Sequence, residues 1–180
     1  MELGSPSTIV TFFDIAGRRS AERALRKSEE RLDLAVRGSN DGLWDWDTTD
    51  NSVWYSNRFR NLLGYREETS FPGHIDSLLA VLHPEDRDVV QAAFTANIDD
   101  YSPCDVECRL RVADGDYRWF RIRGECIRGA DGRPMRMAGS LQDVTERRAL
   151  MEELGQVNQR LLERHQELEP RNQEGEAFGY

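Results

Sequence analysis

Between residues 105 and 141 the chain has few folds open to it. Val106, Cys108, Leu110 and Val112 alternate with Asp105, Glu107, Arg109 and Arg111, the period of a strand with one buried face and one wet face. Asp114-Gly115 is a favoured pair for a two-residue hairpin turn, and Tyr117 to Ile127 continues as a second strand. Asp131-Gly132-Arg133-Pro134 turns the chain again into Met135 to Leu141. Connections this short force antiparallel neighbours, because a parallel return needs a crossover of a dozen or more residues.

The segment upstream supplies the other strands. Gly42-Leu43-Trp44-Asp45-Trp46-Asp47 alternates, Thr48 to Ser52 has turn composition, and Val53-Trp54-Tyr55 is branched and aromatic, so a hairpin is expected. Short helical pieces follow, broken at Gly64 and at Pro72-Gly73. His83-Pro84-Glu85-Asp86 has the order of a helix start, with Pro at the first position and acids in the first turn. Val89, Val90, Ala93, Phe94 and Ile98 would form that helix's buried stripe. The fold class is therefore α+β: a five-stranded antiparallel sheet with short helices on one face.

Helices flank this module. Asp143-Val144-Thr145-Glu146-Arg147-Arg148 has a near copy in Asp14-Ile15-Ala16-Gly17-Arg18-Arg19, one small domain earlier. The chain is expected to begin at the tail of one module and to contain a second. Residues 1–17 read as a tag plus the end of that preceding module, with Thr8 to Phe13 as its last strand. Residues 18–38 form a linker helix with Ala21, Leu25, Ser28, Leu32 and Ala35 on one seam, stopped by Gly38. Residues 146–169 form a second helix with Leu150, Leu154, Val157, Leu161 and Leu168 on its seam and Arg164 at the skipped position. Pro170 is expected to break it, leaving 170–180 as the start of a further domain. A homodimer through the terminal helices follows, its interface made by Leu25, Leu32, Leu150, Leu154, Val157, Leu161 and Leu168.

Composition narrows the class. With a net charge of −9 and pI near 4.9, the chain lacks the clustered Lys and Arg that phosphate binding requires, so no nucleic-acid partner is expected. Arg147-Arg148 sits among acids and makes no patch. No apolar run approaches the roughly 20 residues of a membrane span, and no secretory signal opens the chain, so a cytoplasmic location without membrane insertion is expected. Cys104, Cys108 and Cys126 are odd in number and lack C-x-x-C spacing, which suits reduced, mostly buried thiols.

From about Ser28 to Arg148 the chain resembles a PAS domain. The resemblance rests on Asp41-Gly42-Leu43-Trp44-Asp45-Trp46, Tyr55-Ser56-Asn57-Arg58-Phe59, Leu63-Gly64-Tyr65, His83-Pro84-Glu85-Asp86, Tyr117-Arg118-Trp119-Phe120 and Asp143-Val144-Thr145-Glu146-Arg147, in family order and spacing. It implies a PAS domain over 39–145 and a sensory module in a bacterial signalling protein, not an enzyme in its own right. Residues 171–180 are similar to the lead-in of a histidine kinase dimerisation helix, departing from it at Gly175 and Pro170. The implied output domain in cis is a histidine kinase of a two-component system. The alternatives are a passive dimerisation or docking module and the sensor of a diguanylate cyclase.

Candidate chemistry is sparse. A flavin-thiol photosensor would need an Asn-Cys-Arg-Phe run, which Asn57-Arg58-Phe59 does not supply. Haem would need a pocket His; only His74 and His83 are available, and His83 fits better as a helix cap. Neither cofactor nor metal is expected, although Trp44, Trp46, Trp54, Phe94 and Trp119 are candidates to line a pocket for an unidentified small ligand. Asp45, Asp47 and Asp50 read as solvated acids, and His165 lacks the acidic residue that follows a phosphoacceptor. For signal relay the candidates are Asp143 and Thr145, the latter as helix cap. The family resemblance adds Arg121 or Arg123 as the ion-pair partner of Asp143.

Overall fold

The computed structural model of the chain describes residues 7–66 and 70–176, with side chains except those of residues 7–16, 32, 37 and 167–176. It divides into two units, Met1–Asp41 and Gly42–Tyr180.

The first unit is one helix, α1, Ser7–Ser39. Thr8 to Phe13, expected as a strand, is helical. A strand satisfies its backbone only against a neighbour, whereas a helix does so within itself, and no strand of this unit is present among the described residues. Arg18–Glu22 and Arg26–Glu30 pair one turn apart on the surface. Gly38 is not the stop. The helix ends when Asn40 takes a left-handed conformation (φ 59°) and the Ser39 hydroxyl donates to the Val36 carbonyl at 2.9 Å.

The second unit carries five strands: β1 Gly42–Asp47, β2 Val53–Tyr55, β3 Cys104–Arg111, β4 Tyr117–Arg128 and β5 Pro134–Asp143. They form one antiparallel sheet in the order β2-β1-β5-β4-β3, so the short amino-terminal hairpin pairs with the last strand. Gly115 (φ 99°) and Gly132 (φ 77°) make the tight turns possible. Between β2 and β3 lie α2 Asn57–Leu62, α3 Ile75–Val81, a 3-10 turn Pro84–Asp86, and α4 Arg87–Asp100. Ser56 caps α2 by accepting from the Phe59 N–H, and His74 and His83 cap the next two elements through Nδ1. The two histidines weighed as haem ligands are thus bound up in local caps.

The helices cover one face of the sheet. Trp44, Tyr55, Cys108, Leu110, Phe120, Ile122, Met137 and Leu141 meet Phe59, Leu63, Phe71, Leu78, Val90 and Phe94 in a single core. In α4 the stripe is Val90, Phe94 and Asn97; Val89, expected in it, is 58% exposed because it stands to the side of that line. Gly124 and Gly139 face each other across β4 and β5, where a Cβ on Gly124 would meet the Trp44 ring at 2.6 Å. The final helix, α5, spans Thr145–Glu176. It runs through Pro170 without the expected break. Pro removes one backbone hydrogen bond and costs a helix about 3 kcal/mol, which the backbone tolerates at this position.

Candidate functional site

The junction of β5 with α5 is one residue long: β5 ends at Asp143, Val144 follows, and α5 begins at Thr145. Here the helix cap is not the expected residue. Thr145 was expected to cap the helix, yet Asp143 Oδ1 accepts from the Thr145 N–H at 2.9 Å. The Thr145 hydroxyl instead accepts from the Trp119 N–H at 3.0 Å and donates to the Trp119 carbonyl at 3.3 Å. Val144 N–H also donates to that carbonyl, at 2.9 Å. Since β5 pairs with β4 only as far as Asp143↔Phe120, the Thr145 side chain completes the ladder for one more residue after the strand has ended. The helix can therefore start at once without leaving the edge of β4 unpaired.

Arg121 does not pair with Asp143. Its register partner on β5 is Gln142, and its guanidinium donates to Asp105 on β3 at 2.6 Å, which holds the Asp105 carboxyl below the usual carboxylate range. Arg123 stands opposite Asp105 in the same register.

A second set of contacts at the joint comes from residues that the sequence did not single out. Glu107, on the outer face of β3, accepts from both Arg147 and Arg148 of the first turn of α5, the latter at 2.6 Å. The Arg148 guanidinium lies 3.8 Å from the centre of the Trp119 ring, and Arg109 approaches the same ring at 5.3 Å. The clues were present as the basic pair Arg147-Arg148 and an acid on a wet strand face. Nothing in one sequence aligns positions so far apart. These bonds are exposed, so each contributes at most about 1 kcal/mol.

Arg109 also ties β3 to the start of α4. Its Nε and guanidinium donate to Asp86 at 3.0 and 2.7 Å, its backbone N–H donates to the same carboxylate at 2.7 Å, and Glu85 accepts at 2.9 Å. The hydrogen bonds from Arg109 hold Asp86 below the usual carboxylate range. Asp47 and Asp50 accept from the Thr49 and Ser52 backbones in the β1–β2 turn, and Asp45 pairs with Arg136, so these acids are structural rather than a paired-carboxylate site.

Of the five candidate pocket residues, three come together. Phe94 lies between Trp44 and Trp46, with ring centres 6.1 Å from each. Trp54 is exposed on the outer face of β2, opposite Asp45, and Trp119 is the platform under Arg109 and Arg148. A cavity of about 570 Å³ opens beside the cluster, lined by Trp46 and Phe94 and by residues of α3 and α4. Burial pushes the Cys108 thiol up to about 12 and the Cys104 thiol up to about 11, so neither is a ready nucleophile. Among the described residues no cluster of His, Cys, Asp and Glu could hold a metal ion, and no helix is long and apolar enough to cross a membrane.

The seam residues of α5 face solvent. Leu150, Leu154, Val157 and Leu161 are 42–59% exposed, and Leu25 of α1 is 61% exposed. The side chains of Leu32 and Leu168 lie outside the described residues, as do residues 177–180 of the kinase-like stretch.

Comparisons with known proteins agree with this architecture. A family profile described as PAS fold matches residues 52–141. The crystal structure of a sensory box histidine kinase/response regulator from Burkholderia thailandensis is 36% identical with a TM-score of 0.63, over 74% of this chain and 98% of that one. The probable diguanylate cyclase DgcE of Escherichia coli is 28% identical over 82% of this chain, and the sensor protein FixL of Bradyrhizobium diazoefficiens is 27% identical over 65%. The chain spans 13% of the length of the first of these two relatives and 23% of the second.

Proposed function

The chain belongs to the PAS fold family, and on that premise we propose that it is the sensory module of a dimeric histidine kinase, passing a change in its sheet through α5 to an output domain in cis. The observation that carries this reading is the joint itself. Hydrogen bonds run from the β4 backbone to the Thr145 side chain and from the Thr145 N–H to Asp143, with Val144 alone between strand and helix. The side-chain clamp on that turn is made of exposed bonds of about 1 kcal/mol each, an amount that a small rearrangement of the sheet can make or break.

The exposed leucine stripe supports a dimer. A helix keeps such residues in water only at the expense of hydrophobic free energy, about 25 cal/mol for each Å² that a partner helix could cover. In this reading Asp143, Thr145, Glu107 and Arg148 transmit, and Leu150, Leu154, Val157 and Leu161 of two copies form the seam. The likeness to DgcE favours a second output, a diguanylate cyclase. A reading frame extended past Tyr180 separates the two, through a His-Asp or His-Glu pair for the kinase or a Gly-Gly-Asp-Glu-Phe run for the cyclase.

The test places Asp143→Ala and Thr145→Val in the full-length protein and measures output activity with and without stimulus. Output fixed high or low supports relay. Normal switching in both variants refutes it and leaves a passive dimerisation module.

A further inference from the structure

We propose that the cleft between α3 and α4 binds an organic monocarboxylate with an apolar body about the size of an aromatic ring. Binding is a property of the domain alone; that it acts as a stimulus rests on the sensory reading above.

The site lies outside the sheet–helix interior. That interior is filled by Trp44, Phe94 and Val90, none more than 6% exposed. The cleft opens beyond Phe94, with a volume of about 570 Å³ that falls in the ordinary range for small-molecule sites. Its floor is apolar: Trp46, Ile75, Leu79, Phe94 and Ile98. Leu79 remains 38% exposed there, a large side chain left partly uncovered beside two aromatic rings.

The polar groups around this floor set the chemistry. The Trp46 indole N–H is buried and has no acceptor among the described residues. That nitrogen has no surface open to the cleft, so Trp46 meets a ligand through the face of its ring and not through its N–H. Along α4, Arg87, Gln91 and Thr95 recur every fourth residue on the rim, and none has a side-chain hydrogen bond to a described residue. Arg87 supplies a cation with no paired acid among the described residues, and its planar guanidinium suits a carboxylate. The opposite rim carries Asp76, beside His74. That acid disfavours a second negative charge on the ligand. One carboxylate held by Arg87 at the α4 rim and an apolar body against Trp46 and Phe94 match this lining.

The test uses the 180-residue chain with phenylbutyrate as probe and phenylbutanol as its uncharged counterpart. Calorimetry gives affinity and stoichiometry, and the indole N–H resonances in a nitrogen–proton correlation spectrum report the site, with Trp46→Phe identifying the Trp46 signal. Expected are one site per chain, a saturable shift of the Trp46 resonance, and affinity about tenfold or more weaker for phenylbutanol and for Arg87→Gln, the loss anticipated for one charge-assisted hydrogen bond. Arg87 is exposed, so Arg87→Gln should fold, and its unchanged spectrum elsewhere verifies this. Absence of a saturable shift at millimolar probe, equal affinity for acid and alcohol, or full affinity in Arg87→Gln would each overturn the proposal. Output activity is not read, so a failed relay leaves this result standing, and failed binding leaves the relay standing.

Discussion

Replacing Thr145 by Val keeps its shape and deletes only the hydroxyl. In the wild type that oxygen accepts from the Trp119 N–H at 3.0 Å and donates to the Trp119 carbonyl at 3.3 Å. The two losses are unequal. The carbonyl keeps the Val144 N–H at 2.9 Å, whereas the Trp119 N–H is left without a partner. An orphaned donor costs about 1–3 kcal/mol, and the lower half of that range applies because Trp119 is only half-buried and water can reach it. Against a typical stability of about 5–15 kcal/mol the domain stays folded. Its melting temperature should fall by about 4–8 °C for each kcal/mol lost. Thr145→Ser retains the oxygen and should sit close to wild type. Denaturant titration gives the energy, and amide hydrogen exchange at Trp119 gives the location, with faster exchange expected in the Val variant alone. A Val variant as stable as wild type, with Trp119 exchange unchanged, would mean that the hydroxyl does not complete the ladder.

Replacing both Leu154 and Leu161 by Glu should turn the dimer into a monomer by light scattering while the sheet signal in circular dichroism persists; a variant that remains dimeric moves the interface elsewhere. Asp86 and Asp105 have carboxyls held low by Arg109 and Arg121, so the stability they contribute is complete above the unfolded carboxylate value of about 4 and is lost as pH falls through their lower folded values. Acid melting curves of Arg109→Gln should accordingly lose part of that pH dependence, and curves parallel to wild type would contradict the assignment. With Cys104 and Cys108 buried and their thiols pushed up to about 11 and 12, a thiol reagent at neutral pH should label Cys126 first and the other two only on unfolding; three equally fast thiols would refute this. Gly139→Ala would set a Cβ 1.8 Å from the Arg123 carbonyl oxygen and should unfold the sheet, whereas Gly155→Ala on α5 meets nothing within 4 Å and should stabilise by about 0.5–1 kcal/mol, both read from melting curves.

The strands were legible in the sequence because each signal is local. Alternation over Val106 to Val112 and the Asp114-Gly115 pair act within a few residues, and β3, β4 and their turn lie where that pattern puts them. Thr8 to Phe13 misled because branched and aromatic composition describes a surface that fits between neighbours, and without a neighbouring strand the backbone took a helix. The joint was half legible. Asp143 and Thr145 stand at the boundary as expected, but which of them caps the helix depends on where β4 runs beside them. Trp54 and Trp119 carried the same aromatic signal as Trp44 and Trp46. Strand parity separates Trp54 from Trp44 and Trp46, and a single added residue would reverse it.

A strand that passes into a helix through a single residue also fixes the angle at which every later side chain on that helix points. The steps from Asp143 to Leu150, Leu154, Val157 and Leu161 are repeated, residue for residue, from Asp14 to Ala21, Leu25, Ser28 and Leu32. Inserting one residue after the joint would swing the stripe by about 100°, whereas inserting seven would return it to within about 20°. Modules of this kind can then be strung in series or exchanged, provided that the helices between them are lengthened or shortened in sevens, so that each one receives its neighbour's rotation in the orientation in which it delivers its own.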